Sequence, residues 1–229
     1  MNKIWKRTLY WTTGVLLVAV LVLLCVYWAS QTVPDYYKRA IEIPRARQLS
    51  SATELEETID LVKDDLKGAD EVTIELTQDQ INGWLATRLG SQGRMKLPNG
   101  VELPQIVLQP DSLILAFKIN KDNFSCVVSI KMSVKLSTDM QQLEFAIKEI
   151  HAGSLPVAIK RVFDELESAM ERSKIQFSWV PGSDRREAIV EIPSDLLKDA
   201  EGPISKRVIK AESLEIRFER LKVSATVDN

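Results

Sequence analysis

The chain has one histidine, His151, and two cysteines, Cys25 and Cys126, in 229 residues. A lone imidazole with no cysteine beside it gives no ligand set of the usual kind for zinc or iron, so no metal and no other cofactor is expected. One of the two cysteines lies inside a long apolar run, so no disulfide framework can be built and the folded part must cohere by burial. Cys25 is not a lipid-attachment site either, because Leu24 precedes it where a small side chain is required. Glycine-rich phosphate loops and a Gly-x-Ser-x-Gly elbow are both missing. The formal net charge of −2 supplies no basic excess, which argues against a nucleic-acid partner. The chain does not read as an enzyme.

What it does have is a run without charge from residue 9 to residue 29, dominated by Leu and Val. At about 1.5 Å per residue it reaches about 30 Å, the thickness of a bilayer's hydrocarbon core. Tyr10 and Trp11 bracket one end and Tyr27 and Trp28 the other, as aromatic rings do at headgroup level. A cleaved signal peptide would be shorter and end in a small-x-small site, which Tyr27 spoils before Ala29. An uncleaved transmembrane anchor is therefore expected. Lys3, Lys6 and Arg7 predict a cytoplasmic basic tail over residues 1–8, a single pass through the cell membrane, and an exported C-terminal part.

Beyond the anchor, Val33-Pro34 breaks the helix. A short juxtamembrane helix is expected over 35–42 and an amphipathic one over 45–67. The second carries Leu49, Ala52, Leu55, Ile59, Val62 and Leu66 as its apolar stripe, and Gly68 stops it. Together these make a segment spanning 30–68. An antiparallel α+β domain is expected over 69–229. It opens with a strand over 71–76, then a helix over 77–89 in which Thr77 and Gln80 have the spacing of a capping box.

Period-two alternation dominates the middle of the chain. A strand at Ile106 and Leu108, a turn at Pro110-Asp111, and a strand through Leu113, Leu115, Phe117 and Ile119 come first. Phe124, Cys126, Val128, Ile130, Met132, Val134 and Leu136 then alternate against Ser and Lys, followed by Leu143, Phe145 and Ile147. The phase changes at Lys148-Glu149, which predicts a bulge before Ile150 and Ala152. This pattern is an antiparallel meander with one apolar face and one wetted face bearing Ser129, Lys131, Ser133 and Lys135. A helix over 156–172, with Pro156 in its first turn, is expected next. Strands over 175–180, 188–192, 204–209 and 214–227 close the chain, the last with a turn or kink near Arg220.

The strand over 124–136 would reach about 43 Å at about 3.3 Å per residue. Each of the two covering helices, 77–89 and 156–172, reaches only about 20–25 Å at about 1.5 Å per residue. Either both helices lie end to end on the sheet, or part of the apolar face stays open as a groove for a lipid or acyl chain. Trp84, Ile130, Met132, Phe145 and Phe163 are the residues expected to line it. His151, two residues before Gly153-Ser154, has no base geometry for a nucleophile and reads as structural.

The order of these pieces resembles the YpmS-like family of bacterial membrane-anchored proteins. The resemblance runs from the anchor to about Val227. It is carried by Thr77-Gln78-Asp79-Gln80-Ile81-Asn82 with Trp84-Leu85, by Asp111-Ser112-Leu113-Ile114-Leu115, and above all by Ile150-His151-Ala152-Gly153-Ser154-Leu155-Pro156-Val157. The family's Gly-x-Leu-x-x-Pro-type junction has a small departure here, since Leu155 and Pro156 are adjacent. The resemblance implies no catalytic residues. It does imply a fold similar to tubular lipid-binding domains, in which a long curved sheet wraps a helix. The function expected is thus that of a membrane-anchored exported protein binding a lipid or other apolar ligand between sheet and helices. The alternative is a non-enzymatic envelope scaffold or protein-interaction module with a filled core.

Overall fold

The computed structural model describes residues 3–66, 68–89, 97, 100–121, 124–137, 142–157, 177–183, 186–191 and 208–228. These residues form an α+β fold with four helices and a large antiparallel sheet. Helix α1 (Lys3–Ser30) is continuous, and α2 (Asp35–Ile41) follows a short link ending in Pro34. Among the described residues no single helix is long and apolar enough to cross a membrane. Leu16–Ser30 and Asp35–Ile41 meet that requirement together, with a bend of 40° between them. The large apolar side chains of α1 from Leu16 to Trp28 are exposed, Leu23 at 68% and Trp28 at 76%.

Helix α3 (Arg45–Asp65) packs on α4 (Gln78–Arg88). The contact is close because Gly83 has no side chain. A Cβ there would lie 2.5 Å from the Gln48 carbonyl oxygen and 3.0 Å from the Ala52 nitrogen. Gln48, Ser51, Ala52 and Leu55 are therefore the face that α3 turns to α4. Leu49, expected on the apolar stripe, is instead 50% exposed, about 100° around the helix from Gln48. An ion pair between Arg88 and Glu56 ties the two helices at their other end. The capping box forms as its spacing predicts: Thr77 Oγ1 accepts from the Gln80 N–H, and the Thr77 N–H donates to Gln80 Oε1 at 2.9 Å.

The large sheet has the order β2-β3-β4-β5-β8-β7, built from β2 (Val101–Gln109), β3 (Ser112–Lys121), β4 (Phe124–Leu136), β5 (Gln142–Ala152), β7 (Phe177–Trp179) and β8 (Glu187–Glu191). A two-residue strand, β6 (Leu155–Pro156), pairs back on β5. Strand β4 has the bounds its alternation predicts. The bulge is also where the phase change puts it: Lys131 faces Glu149 while Met132 faces Ile147, leaving Lys148 without an opposite residue. The extra residue keeps Phe145 and Ile147 on the same face as Ile150, across from Val134, Met132 and Ile130.

A second sheet, not foreseen from periodicity, joins the two ends of the domain. Strand β1 (Glu71–Thr77) pairs with β10 (Arg220–Asp228), which pairs with β9 (Val208–Arg217). Of the strands expected over 204–209 and 214–227, residues 204–207 lie outside the described residues, and the turn expected near Arg220 is found at Phe218-Glu219. Val208–Arg217 is one strand whose Glu212 is bulged opposite Ser224/Ala225, and the chain reverses at Phe218-Glu219. A bulge shifts alternation by one residue, and here that shift looks like a strand end. The Asp111 N–H to the Ile216 carbonyl, 3.1 Å, and the Glu219 N–H to the Leu108 carbonyl, 3.2 Å, connect the two sheets.

Two further expectations are corrected. The Ser/Lys face of β4 is not a wetted face: Ser129 is 4% exposed and Ser133 8%, Lys131 is half-buried, and only Lys135 is exposed. A second layer covers this side, with Tyr37 of α2 packed on Ala116 and Val127. Small serines permit that close approach, and alternation alone does not tell a small polar residue facing a second layer from one facing water. Pro156 lies in β6, paired with His151, and not in the first turn of a helix. An edge strand tolerates its missing N–H. Val157 is not helical either, its N–H donating to the Ile150 carbonyl at 3.0 Å, and residues 158–172 of the expected helix lie outside the described residues.

Candidate functional site

The candidate site is the apolar face of β3, β4 and β5. Its packed part is a cluster of Cys126, Val128, Ile130, Ile147 and Ile150, against which Phe117, Ile119, Met132, Ala152, Val157 and Trp179 lie. Ile130 is 1% exposed, its neighbours across the sheet being Leu115 and Ile150. Farther along, the same face continues through Met132, Val134 and Leu136 on β4 and Leu143 and Phe145 on β5, and each of these is only half-buried. On β4 the face passes from full burial at Cys126, Val128 and Ile130 to half-burial at Met132, Val134 and Leu136, while on β3 Leu113, Leu115, Phe117 and Ile119 are half-buried throughout.

Of the five residues expected to line a groove, Ile130, Met132 and Phe145 share this face. Ile130 is core, while Met132 and Phe145 lie on the less covered strip. Trp84 is on α4, which packs on α3, β1 and β2, so it belongs to a different part of the domain. Phe163 lies outside the described residues. The thiol of Cys126 is pushed up by burial, which disfavours the thiolate and with it nucleophilic chemistry. Cys25 and Cys126 are both free. Among the described residues no group of three or more His, Cys, Asp and Glu is arranged to hold a metal ion.

The motif at 77–82 has structural work that sequence reasoning missed. Asn82 Nδ2 donates to the Ile106 carbonyl at 2.8 Å, and Asn82 Oδ1 accepts from the Ile106 N–H at 2.7 Å. One turn earlier, Gln78 Oε1 accepts from the Leu108 N–H at 2.8 Å. Four helical residues advance about 6 Å and two strand residues about 6.6 Å, so Gln78 and Asn82 match the repeat of a β-edge. They cover the open edge of β2 as a neighbouring strand would, which removes a site for unwanted pairing. Polar residues four apart on a helix beside an apolar strand are the signal that could have shown this.

The motif at 150–157 is likewise a junction. Gly153, at φ +61, is the turn between β5 and β6, and its N–H donates to the Val127 carbonyl at 2.7 Å. The last turn of α1 sits against it. The Ser154 N–H and Oγ–H both donate to the Ala29 carbonyl, at 3.1 and 3.0 Å. Comparison of the chain with models of protein families, with curated proteins and with solved structures finds no match.

Proposed function

We propose that the chain is a single-pass membrane protein, anchored by α1 with its N-terminus in the cytoplasm, whose exported sheet takes an acyl chain or other apolar ligand at the membrane surface. On this reading it is a bacterial cell-membrane protein of the YpmS-like kind and a binding module without catalytic chemistry. Support for the anchor comes from α1 itself. A helix that exposes Leu and Val on every side over Leu16 to Trp28 is stable only where its surroundings are apolar too. Support for the ligand comes from one observation above others: on β4 and β5 the apolar face runs on from Met132, which packs on the buried cluster, into half-buried Val134, Leu136, Leu143 and Phe145.

A second reading, an envelope scaffold with a filled core, draws on the near-complete burial of Ile130 and the packing of Trp179 and Val157 there. The two are separated by native mass spectrometry of the full-length protein released from detergent micelles. The binding reading expects the protein with one retained lipid or acyl chain, and a Phe145→Trp, Met132→Trp variant that fills the strip and loses it. A clean apo mass, with no uptake of added fatty acid, favours the scaffold.

A further inference from the structure

Contacts at both ends of the α1–α2 link bear on how the anchor carries the domain. At the first, the α1 C-terminus is received by the Gly153-Ser154 turn. The Ala29 carbonyl, at the helix end, accepts from the Thr32 N–H at 3.3 Å and takes two further hydrogen bonds from Ser154. Ser30 is 7% exposed, its hydroxyl donating to the Tyr27 carbonyl at 2.7 Å. A Cβ on Gly153 would stand 2.5 Å from both the Ala29 and the Ser30 carbonyl oxygens. The turn is thus shaped to the helix end, and its positive φ also demands glycine.

At the second point, Tyr37 of α2 is 1% exposed among Ala116, Val127, Val33 and Tyr36. Its hydroxyl donates to the Leu103 carbonyl at 2.9 Å. Leu103 has φ +49, a conformation leucine rarely adopts, in the bulge between Glu102 and Gln105 of β2. Val127 joins the two points: its carbonyl accepts from Gly153 and its side chain packs on Tyr37.

We propose that this pair of contacts is a clamp that makes anchor and sheet one rigid body, so that the domain has a fixed pose relative to α1 and does not swing on a flexible tether. The ordinary alternative, a link free to move, would leave Ser30 and Tyr37 exposed and give the Gly153 turn no reason to match a helix end. That the pose is fixed against a membrane rests on the proposed role of α1 as an anchor; the coupling between α1 and the sheet does not.

The test is a distance distribution between spin labels on the full-length protein in lipid nanodiscs, in a Cys25→Ser, Cys126→Ala background. One pair, Val22→Cys with Lys135→Cys, spans anchor and sheet; a second, Lys135→Cys with Lys222→Cys, lies within the domain. The clamp predicts that the first distribution is as narrow as the second. Gly153→Ala then broadens the first several-fold and leaves the second unchanged. Should Gly153→Ala broaden both, the domain itself is disturbed, and the double variant Ser154→Ala, Tyr37→Phe, which keeps the turn, decides by the same criterion. A broad first distribution in the unsubstituted protein overturns the proposal, as does a narrow one that survives both variants. Oxygen accessibility of the Val22 label reports separately whether α1 lies in lipid, so failure of the anchor reading is distinguishable from failure of the clamp.

Discussion

Tyr37 shows how a single side chain can couple stability to pH. Burial pushes its hydroxyl up to about 12, with the Lys118 backbone offsetting part of the effect. Its protonated form is therefore favoured in the folded state. The stabilisation is fully present below the unfolded value, about 10, and is lost as pH rises from there toward 12. Melting of the protein should fall more steeply between pH 10 and pH 12 than melting of Tyr37→Phe, and equal slopes would remove the residue from the account. Asn82→Ala strips two backbone groups of Ile106 of their partners, and a loss of about 1–3 kcal/mol in chemical denaturation is expected. Gly83→Ala should cost a similar amount, about 1–3 kcal/mol, by pushing α4 off the backbone of α3. An unchanged midpoint in either variant would mean that the helix pair is less tightly held than its geometry requires.

Elements were legible from the sequence where a single period governs them. β4 runs unbroken for 13 residues because one face is apolar throughout, and its bounds follow directly. The Lys148 bulge is visible because the apolar phase slips by one residue there. What alternation could not reveal is what lies on the second face. Ser129 and Ser133 look the same whether water or α2 and its neighbours stand beside them, yet both are buried. Ser129→Lys is a direct check. A wetted face would absorb the change, whereas the buried one should lose about 2 kcal/mol or more, read from the denaturation midpoint. The second sheet escaped notice for another reason: β1 and β10 are paired across almost the whole domain, and no local pattern records a partner 150 residues away. The apolar strip of β4 and β5 was legible in its phase only. Met132 and Phe145 fall where their phase puts them, but Trp84 belongs to a helix whose neighbours are β1, β2 and α3.

On the scale of the whole molecule, an apolar helix, the two contacts at the ends of its link, and a long sheet form a series. The exposed Leu and Val surface of α1 ends at Ser30, which is seated on the Gly153 turn, and the apolar face of β4 and β5 begins beside that turn, at Val128 and Ala152. We propose that the strip of Met132, Val134, Leu136, Leu143 and Phe145 holds an acyl chain. The most direct measurement uses the full-length protein in membranes containing a fatty acid with a diazirine in its tail, photolysed and mapped by peptide mass spectrometry. Adducts are expected within residues 132–136 and 143–145 in addition to those on α1, with the sheet adducts lost in Phe145→Trp, Met132→Trp. Adducts confined to α1, with none on β4 or β5, would contradict it.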